Sequence, residues 1–284
     1  MTEGQDRIPH EVVSLTTLIE RHADEYTDRI TVFQRTPRSD PTRPTERRLL
    51  AEFHRSVEHL VIEYARAQVP PRGDELVFAH LYDTVDSPHP GIDEPLRELT
   101  ALLAVETEFR GPRRLSGTQS MRLAELYEGR GEALIEVGLP AHAALAFKRA
   151  TWLFGQDEDF DAQDRCRLAR ARAKRRATYP VWRRTPGYIS DLTCGYGFRP
   201  FLLLIWIAAQ ITLFAAVLLL IDHQPLGTAL HLCLTNYLNP LGISDLQDLG
   251  VGPAGRAVLV VEAWTGIVFT SVFFALLVRR WFRF

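Results

Sequence analysis

Four polar residues stand in the most apolar part of the chain, where a polar group needs a partner or water. Asn236, Asn239 and Ser244 follow one another closely, and Glu262 stands within the next apolar stretch. Polar side chains at membrane depth usually face a partner or a water-filled cavity. The three shorter side chains therefore either line a polar constriction or hydrogen-bond neighbouring helices. For Glu262, about one turn inside Arg256, we favour support of this loop from behind over a position among lipid headgroups.

Two apolar stretches flank this polar segment. Residues 201–221, FLLLIWIAAQITLFAAVLLLI, carry no charge, and residues 257–278, AVLVVEAWTGIVFTSVFFALLV, carry only Glu262. About 20 apolar residues in a helix cross a hydrocarbon core of about 30 Å, so both stretches are predicted to be transmembrane helices. The apolar piece at 228–238, TALHLCLTNYL, is too short to span and is predicted to be a re-entrant helix between them.

Basic residues predict how these helices are oriented. Residues 165–184 contain nine basic residues and no acid, and Arg279, Arg280 and Arg283 follow the second apolar stretch. The connection 222–256 holds three acids and one base. The positive-inside rule then predicts a multi-pass protein of the cell inner (plasma) membrane, with both termini in the cytoplasm. We expect the basic run to contact membrane lipid, and we do not expect a nucleic acid partner.

The front of the chain differs in composition, with 30 acidic and 19 basic residues before residue 165. Apolar residues recur at helical spacing in 44–69, with Thr45 as the cap and two prolines as the stop. Further helices are expected at 10–33, 74–84, 93–108 and 118–137, and no alternating stretch predicts a strand. The sequence therefore predicts a helical cytoplasmic domain over 1–117.

Residues 118–178 carry a more specific pattern. Small and large apolar residues within LAELYEGRGEALIEVGLPAHAALAFKRATWLFGQ fall at helix-hairpin spacing: Tyr127, Gly131, Leu134, Gly138, Ala143, Phe147 and Ala150. This spacing resembles one tetratricopeptide repeat of about 34 residues, although Gly155 stands at the usual proline position. The resemblance implies a tetratricopeptide-like hairpin that binds an unknown protein or ligand, followed by a basic juxtamembrane helix. The alternative is a generic helix hairpin with small residues at the crossing.

No pattern in the sequence indicates an enzyme. We find no HExxH motif, nucleotide-binding loop or nucleophile elbow. The cysteines Cys166, Cys194 and Cys233 are far apart and odd in number, so neither a disulfide framework nor a metal-type pair follows. We therefore expect no catalytic residues, no cofactor and no metal site.

Two motifs of the last 95 residues or so resemble the bacterial two-transmembrane potassium-channel family. ALHLCLTNYLNPLGISD is similar to that family's ALxxxxTxxTxGYGD, and RAVLVVEAWTGIVFTSVFFALLVRR is similar to its inner helix. The resemblance implies a two-transmembrane pore module over 186–284, with Gly266 as a gating hinge. It implies pore-helix and filter support from Thr235, Asn236 and Glu262. It implies an ion pathway for a monovalent cation along Asn239, Pro240, Leu241, Gly242, Ile243, Ser244 and Asp245.

The filter of this chain departs from the family pattern Thr-Val-Gly-Tyr-Gly-Asp. Pro240 removes a threonine hydroxyl and a backbone N–H group, and it fixes φ near −65°. Ser244 replaces a glycine at a position that can need positive φ. Gly242 and Asp245 match the family. An ordered stack of carbonyl rings is therefore not expected, and selectivity for potassium should be altered.

Together these features predict an all-α membrane protein. One subunit supplies one dipping helix, so a closed pathway needs several copies, and the resemblance implies a homotetramer. The predicted function is a potassium-type cation channel with altered selectivity, regulated by its cytoplasmic helical domain. The alternative is a non-conducting, membrane-anchored oligomeric adaptor that uses the tetratricopeptide-like surface.

Overall fold

The computed structural model describes the chain except residues 1–9, 38–39, 41, 70–73, 87–93, 179–180, 199, 223–224, 240–250 and 282–284. The described residues form helices, turns and irregular segments, without a strand. The predicted all-α fold class is therefore confirmed. The chain divides into two compact units, Met1–Arg184 and Thr185–Phe284, called the front unit and the rear unit below.

The front unit contains seven α-helices among its described residues. They are α1 (His10–Arg35), α2 (Glu46–Ala67), α3 (Ala79–Asp86), α4 (Glu94–Arg110), α5 (Gly117–Glu136), α6 (Pro140–Gln156) and α7 (Phe160–Ala177), and a short 3₁₀ turn follows at Val181–Arg184. The helix predicted at 74–84 begins only at Ala79, because turns occupy the residues before it. Thr45 caps α2 as predicted, since its side chain accepts a hydrogen bond from the Arg48 amide.

Helix α4 lies at the centre of the front unit. It packs against α1, α2, α3 and α5. Its residues from Ala101 to Glu108 are all buried, so α4 has no solvent-facing stripe over that stretch. Helices α5, α6 and α7 contribute to the same hydrophobic core. The predicted boundary between residues 117 and 118 falls within the first turn of α5.

Helices α5 and α6 form a close antiparallel hairpin. Gly138 has φ +85°, its amide donates to Ile135 O, and the Leu139 amide donates to Leu134 O at 2.8 Å. This Schellman turn needs the left-handed conformation that glycine adopts freely. At the crossing, a Cβ on Gly131 would lie 2.7 Å from Cε1 of Phe147, so only glycine lets this ring pack there. These contacts explain a helix hairpin; they do not establish a tetratricopeptide repeat.

The rear unit contains α8 (Thr185–Cys194), a 3₁₀ turn (Gly195–Gly197), α9 (Leu202–Asp222), α10 (Leu226–Leu238) and α11 (Pro253–Trp281). Helices α9 and α11 are long and apolar enough to cross a membrane, as the sequence predicts. Large apolar side chains cover their outer surfaces, among them Ile205, Leu213 and Val260. Helix α10 has 13 residues and packs against both α9 and α11.

Candidate functional site

Helix α10 presents three different faces, each set by the helical step of 100° per residue. One face is buried against the two long helices: Ala229, Leu232, Cys233 and Asn236. A second face is an exposed leucine stripe: Leu226, Leu230, Leu234 and Leu238. A third face, called the polar stripe below, is exposed or partly exposed: Thr228, His231, Thr235 and Asn239. A helix with this pattern needs an apolar surrounding on one side and a polar one on the other.

Asn236 joins the buried face of α10 to α11. Its side-chain Nδ2 donates to the backbone carbonyl of Leu259 at 2.7 Å and to Oε2 of Glu262 at 3.1 Å. Glu262 is fully buried, and the Cys233 thiol also lies against its carboxylate. The structure therefore brings together Asn236 and Glu262, two residues of the predicted support set.

Gln210 makes the corresponding link from α9. Its Nε2 donates to Thr265 Oγ1 at 2.7 Å and to the backbone carbonyl of Glu262 at 3.3 Å. Gln210 is 8% exposed, so this amide lies inside the rear unit. The backbone and side chain of Glu262 thus receive hydrogen bonds from both neighbouring helices. The side chains of Gln210, Asn236, Glu262 and Thr265, with the Tyr237–Thr270 pair described next, are called the polar cluster below.

A second contact lies one turn further along α11. The Tyr237 hydroxyl and Thr270 Oγ1 are 2.8 Å apart. The Tyr237 ring lies over Gly266, where a Cβ would come within 2.8 Å of Cε2 of the ring. Gly266 lies inside the continuous helix α11. Because it has no side chain, the Tyr237 ring can pack closely against the helix. A gating hinge at Gly266 stays a prediction.

The end of α9 meets the beginning of α11 through Asp222. A Cβ on Gly255 would collide with Oδ2 of this carboxylate, and one on Gly252 would lie 2.9 Å from Oδ1. The two glycines therefore let the acid approach the first turn of α11. A carboxylate at a helix N-terminus is stabilised by the helix dipole.

Glu262 is the chemically unusual member of the cluster. Its Oε1 accepts no hydrogen bond from a described residue, and no described basic side chain pairs with it. Burying an ionised carboxylate without a cation is costly, above all within a membrane. An acid in this setting lowers that cost by keeping its proton or by having a cation bind beside it.

The structure describes five of the predicted site residues. Asn239 is the C-terminal cap of α10, and its amide donates to Thr235 O at 2.8 Å. Thr235 is exposed on the polar stripe and makes no contact with Glu262 that the structure records. Asn236, Glu262 and Gly266 lie on buried faces, as described above. The remaining predicted pathway residues lie outside the described residues: Pro240, Leu241, Gly242, Ile243, Ser244 and Asp245.

Sequence reasoning missed several members of the cluster. Gln210, Thr265, Tyr237 and Thr270 stand in apolar stretches of the sequence, yet their side chains form hydrogen bonds between the helices. The signal was present, because Gln210 is the single amide within an uncharged stretch of 21 residues. A lone polar residue in a predicted span usually finds a partner on a neighbouring helix.

The front unit holds a second set of buried acids, all on α4. Glu98 pairs with Arg130 at 3.1 Å. Glu106 accepts hydrogen bonds from the Arg149 guanidinium and from the Tyr127 hydroxyl, the latter at 2.7 Å. Such pairing is the ordinary condition of a buried carboxylate in a folded core and indicates a structural role.

Glu108, the third acid of α4, accepts from Tyr82 Oη at 2.7 Å and from the Val77 and Phe78 amides. Burial raises the pKa of Glu108, and these hydrogen bonds oppose the rise. The pKa of Tyr82 is also raised, first by burial and then by this carboxylate. The group therefore ties α4 to the start of α3.

A buried histidine forms a further group of polar contacts in the front unit. His142 lies 2.6 Å from Tyr26 Oη through Nε2 and 3.1 Å from Glu46 Oε1 through Nδ1. Glu46 also accepts from the Ala141 amide in the first turn of α6. These contacts connect α1, α2 and α6 in the core. Among the described residues, no group of three or more His, Cys, Asp or Glu side chains is arranged to hold a metal ion.

Three comparisons with known proteins were made for the whole chain. No family model, no curated protein and no solved structure matches it.

Proposed function

We propose that this chain is one subunit of a homotetrameric, cation-channel-like membrane protein whose cytoplasmic helical domain regulates it. The observation that carries the proposal is helix α10. It is too short to span a bilayer, it packs by one face on two helices that are long enough to span, and its polar stripe stays exposed. An exposed polar stripe at membrane depth needs a water-filled path or a second copy of the protein.

In this proposal α10 is a re-entrant helix and its polar stripe faces the shared axis. The leucine stripe then faces lipid or apolar surfaces of neighbouring subunits. The C-terminal end of α10 carries a partial negative charge, which favours a monovalent cation near Asn239. Because Pro240 and Ser244 disturb an ordered carbonyl stack, selectivity among monovalent cations should be weak.

In this proposal the polar cluster holds α10 in its orientation on α9 and α11. Asn236 fixes α10 to the Glu262 segment of α11, and Gln210 fixes α9 to the same segment. The orientation of the polar stripe therefore depends on these two amides. A movement of α11 would be transmitted to α10 through Asn236.

Single-channel recording of purified protein in planar bilayers tests the proposal. Thr235→Val keeps the shape of the side chain and removes its hydroxyl from the polar stripe. We expect the cation current to fall about twofold or more, because a polar group leaves the pathway wall. The matched control Leu234→Ile changes the leucine stripe and should leave the current unchanged. Equal effects of the two substitutions would contradict the proposed direction of α10.

Assembly and orientation have separate tests. Native mass measurement of the detergent-solubilised protein should give a tetramer, and a monodisperse monomer would remove the shared pathway. Cysteine introduced at Gln247 should react with an impermeant thiol reagent from outside, whereas cysteine at Thr178 should not. The opposite labelling pattern would place the front unit outside the cell.

The second candidate function is a non-conducting adaptor that holds several copies of the front unit at the membrane. Pro240 and Ser244 favour it, because they stand where an ion-coordinating filter would need other residues. Under this hypothesis the tetramer forms and wild-type protein passes no current under any stimulus. The front unit would still bind a partner, which affinity measurement on the full-length tetramer would detect.

A further inference from the structure

We propose that α8 lies in the interface between water and the hydrocarbon core of a bilayer, with Tyr188, Ile189 and Leu192 inserted among the lipids. These three residues are called the apolar face below. The partner is the lipid surface of the membrane that α9 is proposed to span, so the inference rests on that proposed span. It adds a membrane contact outside the two candidate spans, on a helix that the proposed function leaves without a role.

Helix α8 exposes its large apolar side chains and partly covers its small ones. Tyr188, Ile189 and Leu192 are 54%, 60% and 65% exposed. They lie within an arc of about 100° around the helix, and Gly187 and Ser190 lie on the other side, partly covered. A helix on a water-facing surface has the opposite arrangement, because its apolar side chains face the protein core. No residue of α8 is buried, so the apolar face needs a partner outside the rear unit.

A hydrogen bond sets the depth of α8 along α9. Nε1 of Trp206 donates to the backbone carbonyl of Leu192 at 2.9 Å. Trp206 follows the first residue of α9, Leu202, by about 6 Å along the helix axis. Interfacial helices bury their apolar face about 5–10 Å into the boundary between headgroups and acyl chains, and tryptophan is enriched at the same boundary. If α9 spans the bilayer, this contact therefore holds α8 at the depth of the interface.

The segment that follows α8 has a defined backbone. Gly195, Tyr196 and Gly197 have φ values of +55°, +55° and +83°, and the Phe198 amide donates to Gly195 O at 3.0 Å. Glycine adopts this left-handed conformation freely, whereas Tyr196 adopts it only where surrounding contacts offset the cost. The chain therefore leaves α8 through a specific turn, which together with the Trp206 contact determines where the apolar face points.

The charges near α8 in the sequence favour a lipid surface as the partner. Arg183 and Arg184 directly precede α8, and Arg199 follows the turn. Basic residues beside an inserted apolar face are attracted to anionic headgroups. The acidic residue of α8, Asp191, lies outside the apolar face.

Fluorescence quenching of single cysteine labels in nanodiscs tests the inference. The substitutions Cys166→Ala, Cys194→Ser and Cys233→Ala give a full-length background for a fluorophore at Leu192→Cys. The nanodiscs contain phosphatidylcholine and phosphatidylglycerol, with a nitroxide placed either near the headgroup or near the end of the acyl chain, and iodide is the aqueous quencher. We expect the nitroxide near the headgroup to quench this label several-fold more strongly than the deeper nitroxide or iodide does.

Two reference positions separate this inference from the proposed span. A label at Leu213→Cys, exposed near the middle of α9, should be quenched mainly by the deeper nitroxide. A label at Val32→Cys, an exposed aliphatic position on α1, should be quenched mainly by iodide. Strong quenching of the Leu213 label by iodide would contradict the span itself. If the Leu213 label lies in lipid while the Leu192 label behaves like the Val32 label, the inference about α8 alone is wrong. A Leu192 label that neither lipid nor iodide quenches would show that protein covers the apolar face, which would also overturn it.

Two matched variants separate insertion from mere proximity to α9. Ile189→Gln removes an aliphatic side chain from the apolar face and should reduce lipid quenching of the Leu192 label, because interfacial binding scales with buried apolar area. Thr193→Gln introduces the same side chain outside the apolar face and should leave the quenching unchanged. Circular dichroism checks that both variants keep their helical content. Equal quenching in the two variants would mean that the Trp206 contact alone holds α8 near the bilayer, and lipid insertion would be ruled out.

Discussion

Each of the two units buries glutamates, but they treat the buried carboxylates differently. In the front unit, Glu98 and Glu106 are 5% and 1% exposed, and each has an arginine partner. In the rear unit, Glu262 is 0% exposed, has one amide donor and leaves Oε1 without a described partner. The front unit thus uses its acids to fasten helices, whereas the rear unit keeps an acid without a described basic partner.

The different pairing indicates a different role for the buried carboxylates in each unit. A buried carboxylate with an arginine partner is sensitive to loss of that partner. A carboxylate with an unpaired oxygen responds to protons and cations, which suits a region proposed to handle ions. Substituting one partner at a time tests this difference between the units.

The largest effect is expected for Arg149→Ala. It removes the guanidinium from Glu106 and leaves a buried charge without compensation, so the front unit should lose about 3–5 kcal/mol of unfolding free energy. Urea unfolding of the full-length protein in detergent, followed by circular dichroism, measures this change. The control Glu58→Gln breaks the exposed pair with Arg110, whose atoms are 3.7 Å apart, and should change stability by less than about 1 kcal/mol. If both variants behave alike, the pairing of Glu106 is not what stabilises α4.

A smaller effect, with a characteristic pH dependence, is expected for Glu108→Gln. The substitution disturbs the hydrogen bonds from Tyr82 and two backbone amides and should cost about 1–3 kcal/mol. Burial raises the pKa of Glu108, so its proton is held more tightly in the folded state than in the unfolded state. Its contribution to stability is therefore greatest below the unfolded pKa of about 4.3 and is lost as pH rises through the folded-state pKa.

The same unfolding experiment at a series of pH values checks this sign. Wild-type stability should show a loss above about pH 4.3 that the glutamine variant lacks, because glutamine does not titrate. A variant with an unchanged pH profile would mean that other groups, such as Glu98, dominate. The pKa of Glu98 is also raised by burial, so Glu98→Gln is the natural companion variant.

A modest effect is expected for Asn236→Ala in the rear unit. It removes the donor to Leu259 O and Glu262 Oε2, and hydrogen bonds between membrane helices contribute about 0.6 kcal/mol on average, up to about 1.7. Titration of the purified protein with a denaturing detergent measures this loss. A loss as large as that of Arg149→Ala would contradict the difference between the two units.

The smallest effect on stability is expected for Glu262→Gln. Glutamine keeps an oxygen for the Asn236 donor and removes the ionisable group, so the change should stay below about 1 kcal/mol. If the protein conducts as proposed and the acid serves ion handling, the pH dependence of the current should change while the proposed tetramer persists. An unchanged pH dependence would assign Glu262 to packing alone.

The spacing of apolar residues and the length of apolar segments predicted most of the helices, because both depend directly on which residues are buried. The apolar spacing of 44–69 and the uncharged stretch at 201–221 correspond to α2 and α9, and Gly131 and Phe147 meet as their spacing indicates. The beginning of α3 was placed too early, since turns at 74–78 are stabilised by Glu108, which lies 30 residues away in sequence from Phe78. Contacts between residues that are far apart in sequence produce little signal in the local sequence pattern.

The candidate site was predictable only in part. Asn236 and Glu262 were named from their polarity, but their mutual contact depends on how α10 lies on α11. Gln210 and Tyr237 escaped notice because their hydrogen bonds are made across helices, and a single sequence does not specify such pairings. The exposure of Thr235 also depends on how α10 packs against its neighbours. The composition of α10 alone does not determine that packing.

The central position of α4 has a consequence for the order of events during synthesis. Glu106 accepts from Tyr127, 21 residues later in the chain, and from Arg149, 43 residues later. At about 5–20 residues per second, a ribosome reaches Arg149 on the order of 2–9 seconds after Glu106 has been added. During that interval the apolar faces of α4 lack their covering helices, and the nascent segment is open to chaperones. The first candidate membrane span, Leu202–Asp222, is synthesised only after Arg149, so the front core can begin to close before that segment is made.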